Sequence, residues 1–251
     1  MASTPWADGP FRLVPSSKSV KPDGDPTAIW LADEMAHAHN VMIRQLNSMY
    51  LQAPFVKEEA DQHDLCQYAV FWKDFLHHHH DLEETVYFPD IERITGVKGI
   101  MEENVSQHAE FTPGLDEFGR YVQDCLDKKQ TFDSSKFTGL IDAFGPKLST
   151  HLAEEIGTLV GLGKYDIQAV KKSYNALEAE AQKVSKTKVL PLVCGARDVT
   201  YEGGCTWPRF PFFVPYMVDW MFTGEYKSVW RFNPSTIHGK PRPLHFLPKD
   251  A

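Results

Sequence analysis

Apolar residues recur at steps of three and four along four long stretches of the chain, the spacing of one face of an α-helix. The first, over about residues 27–51, carries Ile29, Ala32, Met35, Met42, Ile43, Leu46 and Tyr50. The second, about 58–94, carries Leu65, Tyr68, Trp72, Phe75, Leu76, Leu82 and Val86. Met101, Val105, Phe111, Leu115, Phe118 and Val122 mark the third, about 97–128, and Leu140, Phe144, Leu148, Leu152 and Leu159 the fourth, about 134–162. The short connections predict antiparallel neighbours, hence an all-α, up-and-down four-helix bundle. Asp25 followed by Pro26 predicts the first helix start, with Asp25 as N-cap. Pro113 and Pro146 fall inside the third and fourth patterns, where each is expected to kink its helix or interrupt its hydrogen-bond ladder.

Both ends break this periodicity. Pro5, Pro10, Pro15, Pro22 and Pro26 make residues 1–26 an extended arm. Residues 27–163 are the bundle. Within 164–251, an Ala-, Glu- and Lys-rich helix over about 166–186 is expected to pack outside it. The rest of that segment is crowded with aromatics, among them Trp207, Phe210, Phe212, Phe213, Tyr216, Trp220, Tyr226, Trp230 and Phe232. Pro208, Pro211 and Pro215 bar a long helix before Tyr216. So much aromatic surface must wrap onto the bundle or a partner, and one integrated domain with an aromatic C-terminal cover is expected.

Each seam is interrupted by polar residues. His39 lies in the first, His79 and Glu83 in the second, His108 in the third, His151 and Glu155 in the fourth. A four-residue offset places imidazole and carboxylate one turn apart on one helix face. One such pair is weak evidence, but four buried imidazoles and two carboxylates without a common partner would cost several kcal/mol. A shared pair of cations removes that cost. Mixed imidazole and carboxylate ligands inside a bundle suit iron or manganese better than zinc, whose thiolate-rich patterns and His-Glu-x-x-His are absent. Ferritin-like proteins use two Glu-x-x-His motifs, and the chain offers one, Glu34-x-x-His37.

The His-first spacing resembles the hemerythrin-like, or HHE cation-binding, proteins, over roughly residues 28–163. The matching motifs are Ala38-His39-Asn40, His79-x-x-x-Glu83-Glu84-x-x-Tyr87-Phe88-Pro89, Gln107-His108 and His151-x-x-x-Glu155. The chain looks especially similar to fungal members with an aromatic C-terminal extension. The resemblance implies a hemerythrin-like bundle holding two non-haem iron ions, with His39, His79, His108 and His151 as terminal ligands and Glu83 and Glu155 as bridges. Glu84 is the candidate supporting group. Oxygen-carrying hemerythrins have two histidines one turn apart on the third helix, whereas Asn104 and Thr112 flank His108 at that spacing. The site is thus more similar to the four-histidine, two-glutamate centres of bacterial proteins implicated in iron-centre repair.

His77, His78 and His80 are expected to be solvated or to support the ligands, though His80 with Glu84 repeats the spacing one residue on and leaves the register open. His37 points away from His39, and His63, His238 and His245 carry no spacing signal. The leading function is an oxygen-dependent oxidoreductase acting on a small organic metabolite, with dioxygen as co-substrate and an electron donor the sequence does not identify. A non-enzymatic protein that senses or carries dioxygen or nitric oxide, or stores or delivers iron, is the alternative; a structural or zinc-filled site is a third. A net charge of −8 without a basic stripe speaks against nucleic acid. No membrane-length apolar run or secretory layout is present, and the four scattered cysteines Cys66, Cys125, Cys194 and Cys205 suit free thiols in the cytoplasm. Oligomeric state is not encoded in any recognisable pattern.

Overall fold

A computed structural model describes residues 6–248. Residues 1–5 of the expected arm, Pro5 among them, and residues 249–251 of the C-terminal segment lie outside the described residues. The helices in chain order are α1 (Ser17–Val20), α2 (Pro26–Gln52), α3 (Glu59–Leu82), α4 (Phe88–Thr95), α5 (Glu102–Leu126), α6 (Ser134–Gly161), α7 (Ile167–Ala181), α8 (Val189–Cys194) and α9 (Val214–Met217). The described residues contain no strand, only an isolated bridge between Ser235 and Pro241. None of their helices is long and apolar enough to cross a membrane.

Helices α2, α3, α5 and α6 form the bundle. Asp25 caps α2 as its sequence predicts, accepting from the Thr27 and Ala28 amides, and Asp133 does the same for α6. One end of the bundle is filled by Trp72, Phe118, Phe144 and Phe137, with ring centroids 5.0 to 6.2 Å apart. There α5 and α6 approach so closely that a Cβ on Gly114 would lie 2.9 Å from the Phe144 Cβ. Pro113 and Pro146 do not break α5 or α6, which run through them; each costs one amide donor while tertiary packing carries the helix past it.

The second pattern is not one helix. After α3, residues Glu83–Tyr87 form a wider π turn, closed by the Phe88 amide donating to the Glu83 carbonyl five residues back, before α4 resumes. Pro89 supplies the reason: it lacks an N–H, and its ring would collide with the carbonyl four residues earlier in a regular α-helix. The extra residue in this turn lets α4 continue directly beyond the candidate ligand Glu83.

Helix α2 is enclosed on nearly every side. Its buried Asn40 and Asn47 read the backbone of the arm: Asn40 accepts from the Val14 amide and donates to the Val14 carbonyl, while Asn47 accepts from Phe11 and donates to Ala7 and Phe11. On another side, Gln45 donates to the Leu192 carbonyl of α8, Ser48 to that of Phe232, and Gln52 accepts from the Phe246 amide. Helix α7 packs against the bundle, burying Tyr174 and Leu177 beside Leu31, Met35 and Tyr87. It ends at Ala181 rather than near 186.

The aromatic cover is divided. Trp230 and Phe232 are buried against Phe71 and Tyr68, and Arg231 fastens this segment to Asp61 and Asp64. Around α9, however, Phe212 and Trp220 are 86% and 85% exposed, and Tyr216 and Met221 are also exposed. Of the two courses expected for the aromatics, onto the bundle or onto a partner, the Trp230 segment takes the first and the α9 segment does not. Pro215 and Val218 are the buried anchors of so short a helix, and its remaining faces turn outward.

Candidate metal centre

Four helices converge on one buried polar cluster. His39 comes from α2, His79 and His80 from the end of α3, Glu83 from the π turn, His108 from α5, and His151 and Glu155 from α6. Glu83 directs Oε1 to 3.0 Å from His79 Nε2 and Oε2 to 3.7 Å from His108 Nε2. Glu155 Oε2 lies 3.4 Å from His39 Nε2 and 3.8 Å from His151 Nε2. Each carboxylate therefore spans two groups of imidazoles. The donor atoms of His39, His79 and Glu83 all lie within 4.8 Å of one another, as do those of His80, Glu83, His108 and His151.

Hydrogen bonds around the rim fix which ring nitrogens face inward. His39 Nδ1–H donates to the Leu152 carbonyl at 2.7 Å, His108 Nδ1–H to Glu84 Oε1 at 2.7 Å, and His151 Nδ1–H to Gln107 Oε1 at 3.1 Å. These partners accept, so each histidine in its neutral form keeps a bare Nε2 toward the centre. His39 Nε2 lies 3.3 Å from His79 Nε2, and His108 Nε2 lies 2.9 Å from His151 Nε2. Between His108 and His151, both with Nδ1 protonated, lone pairs facing at that range repel each other. Bound at metal–nitrogen distances of about 2.0–2.1 Å, adjacent nitrogens on an octahedral ion are about 2.9 Å apart.

The electrostatics point the same way. Burial pushes the Glu83 and Glu155 carboxyls well above their ordinary range. It pushes the imidazoles of His39, His80, His108 and His151 down, and that of His79 to about 4. Both Glu83 oxygens, both Glu155 oxygens and His80 Nε2 are buried without a hydrogen-bond partner. Such atoms are expensive to bury unpaired. A pair of cations satisfies all of them, so the donor set fits two metal ions.

The structure thus brings together all six residues singled out as ligands, and places Glu84, with a side chain 42% exposed, against His108. It also adds one. His80, for which the sequence favours a solvated or supporting place but leaves the register with Glu84 open, is buried, with its ring 4.3 Å from that of His108 and 5.2 Å from that of His151. His79 and His80 are about 100° apart on α3, and they straddle the inward direction, one turned to each half of the cluster. The third imidazole of the second half, missing from α5, comes from α3. Gln107 is a further supporting residue whose role the sequence did not reveal. Glu34-x-x-His37 stays outside: Glu34 pairs with Arg209 at 3.0 Å, and His37 Nδ1 lies 3.5 Å from Cys205 Sγ.

The family model for the hemerythrin HHE cation-binding domain matches residues 31–162. The chain belongs to the hemerythrin HHE family. A relative from Cryptosporiopsis sp. (strain 8999), the dimeric xanthone biosynthesis cluster protein R11, is 34% identical over 249 residues, covering 98% of this chain and 94% of that protein. That likeness runs through the arm and the cover as well as the HHE domain. No solved structure matches the chain. The HHE match contains every residue of the cluster, whereas α7 to α9 and the whole of the arm lie beyond it.

Proposed function

We propose that this HHE protein is a carboxylate-bridged non-haem di-iron oxidoreductase that uses dioxygen to oxidise a small aromatic metabolite. The observation that carries the reading is the set of four partnerless carboxylate oxygens on Glu83 and Glu155, enclosed by five imidazoles. His39 and His79 would hold one ion, and His80, His108 and His151 the other, with Glu83 and Glu155 bridging. Iron fits these nitrogen and oxygen donors and, unlike zinc, can change oxidation state. Bound there, a reduced iron pair would supply two electrons to dioxygen. Glu84, Gln107 and the Leu152 carbonyl orient the imidazoles and keep their Nε2 atoms bare. Phe88 and Phe111 pack against His108 and exclude water from that side.

The biosynthetic side of the proposal rests on two features. The arm and the cover enclose α2, the helix that carries His39, which a simple metal-binding bundle does not require. The relative, similar from end to end, is named for a cluster that makes xanthones, which are oxygenated aromatic ring systems. The free cysteines suit action in a reducing cytoplasm.

A second reading, binding of dioxygen or nitric oxide without turnover, is favoured by where the clefts lie. One of about 500 Å³ beside Cys66 and Cys125, and one of about 620 Å³ beside Phe213 and Trp220, include none of the cluster residues. The two readings are separated by loading the protein with iron, reducing it anaerobically, admitting oxygen and then removing it. Irreversible oxygen consumption is expected. A spectrum that reverses as oxygen is withdrawn would replace the oxidase reading with carriage or sensing, and no iron-dependent uptake would defeat both.

A further inference from the structure

Several arginines that fasten the cover have visible partners. Arg231 pairs with Asp61 and Asp64, Arg209 pairs with Glu34, and Arg242 donates to the Asn233 and Trp230 carbonyls. Arg44 of α2 is different. It is 3% exposed, and its Nε and Nη2 are buried without a hydrogen-bond partner. These two nitrogens form one edge of the planar guanidinium fork, so their N–H bonds run nearly parallel and address a single acceptor. The guanidinium lies 4.9 Å over the Tyr201 ring, whose face eases the charge but accepts nothing in the plane of the fork.

Arg44 and Tyr201 line a cavity of about 10 Å³ between α2 and the cover, and Arg197, Asp198, Cys205 and Trp207 are among its other walls. Arg197 is also buried, and its Nε is without a partner. Among the described residues neither guanidinium forms an ion pair. Asp198 Oδ1 accepts from the Thr200 amide at 2.7 Å and the Thr200 hydroxyl at 2.6 Å. Two guanidiniums and one carboxylate thus leave one positive charge over. Tyr201 keeps its proton, which it donates to the Val14 carbonyl, and Cys205 Sγ accepts from the Trp207 amide while burial pushes the thiol above its ordinary range. Neither supplies the missing negative charge. A buried cation without a counter-charge is costlier than the methionine that would fill the same space. Water would accept the hydrogen bonds but cancel no charge.

We propose that this cavity binds one monovalent anion of halide size, held by the Nε–Nη2 edge of Arg44 and by the Arg197 side chain. The charge count selects a monovalent ion. The volume, about that of one water-sized sphere, selects a monatomic ion over sulfate or phosphate. One wall is fixed as well: the Val199 amide donates to the Gly239 carbonyl at 2.9 Å, and a Cβ on Gly239 would lie 2.9 Å from Arg197 Nε, so that side chain has little room to withdraw. The ion joins the cover to α2 at a point where two guanidiniums would otherwise repel. None of the residues lining the cavity belongs to the metal cluster, so the site does not depend on the di-iron reading.

The test uses the iron-loaded full chain in halide-free buffer, with sodium chloride replacing sodium gluconate at constant ionic strength. The melting temperature is expected to rise by about 3–6 °C for each tenfold increase in chloride above its Kd. The rise should be lost in Arg44→Met, which fills the space without the charge, and delayed to about tenfold higher chloride in Arg197→Gln. Should Arg44→Met fail to fold, Arg197→Gln carries the comparison. Crystals grown in sodium bromide should give one anomalous-scattering peak within hydrogen-bond reach of Arg44 Nε and Nη2. A melting temperature indifferent to chloride overturns the proposal, whether the cavity then holds an ordered water or a bromide bound at crystal concentration only. A rise that survives unshifted in both variants overturns it too, because chloride then acts elsewhere; a matching change in the iron absorption bands would locate that action at the metals.

Discussion

His39 and Asn40 are neighbours on α2, both fully buried and both polar, yet they serve opposite ends. Asn40, with Asn47 two turns on, spends its amide on the backbone of the arm, and every bond is made inside the protein. His39 turns Nδ1 to a carbonyl and Nε2 to a group of carboxylates and imidazoles whose capacity is largely unused. Satisfied buried polar groups mark a structural joint. Unsatisfied ones, converging from four helices, mark a place built for something else to bind. The comparison makes definite demands on substitution: changes in the cluster should alter metal content, while changes at the joint should alter stability alone.

The largest effect is expected at the bridges. Glu83→Ala and Glu155→Ala should each lower iron content to one ion per chain or none, measured by elemental analysis of protein reconstituted under identical conditions. Full retention in both would remove the basis of the di-iron assignment. His80→Ala comes next. It should cost the ion bound by His80, His108 and His151, and leave the other with His39 and His79. His78→Ala, one residue pair away on the same helix, should change nothing in metal content. Equal content in the two histidine variants would return His80 to the supporting role its sequence suggested.

The structural joint gives a prediction of another kind. Asn47→Ala removes three hydrogen bonds and leaves buried backbone groups of Ala7 and Phe11 unpaired, a loss of about 2–3 kcal/mol at typical costs for such groups. Chemical denaturation should record that loss while iron per folded chain stays at the wild-type value. A fall in metal content as large as that of Glu155→Ala would show that arm and cluster are not separable, and the contrast between His39 and Asn40 would collapse.

Much of this arrangement could be read in advance where it depends on helical period. The four bundle helices and the six converging ligand candidates follow from apolar seams interrupted by polar pairs, because burial and a period of 3.6 leave few other places for them. His80 was not readable by the same logic. A seam between two helices selects one residue per turn, but a cavity among four helices accepts side chains on either side of the inward direction, so two consecutive histidines can both enter. The π turn escaped because its cause, Pro89, lies beyond the residues it displaces. The arm and cover have no period at all. Their positions are set by side chains of α2, Asn40 and Asn47 among them, meeting distant backbone, a pairing that no spacing within the arm or cover encodes. The exposed α9 aromatics take the outward of the two courses hydrophobicity allowed, since Pro208, Pro211 and Pro215 keep the segment before them from forming a longer helix and only Pro215 and Val218 anchor it.

The smallest effect is also the most discriminating, because it concerns a residue that would never touch the metal. Glu84 accepts the His108 Nδ1–H at 2.7 Å, and its side chain is open to solvent, so removing it leaves no cavity and little to destabilise. If the centre needs His108 only as a neutral filler of space, Glu84→Ala should be silent. If His108 is a ligand, the lost partner frees the ring to rotate and to exchange tautomers, and the basicity of Nε2 falls. Removal of a hydrogen-bond partner of this kind costs about 10–100-fold in metal affinity. Glu84→Gln, which keeps an accepting oxygen, should recover most of it. Competition with a chelator measures both variants on one scale, and a melting curve taken alongside separates weakened binding from weakened folding. Equal chelator resistance in wild type and Glu84→Ala would mean that the rim does not tune the centre, leaving the bare geometry of the inward-facing nitrogens as the whole of its design.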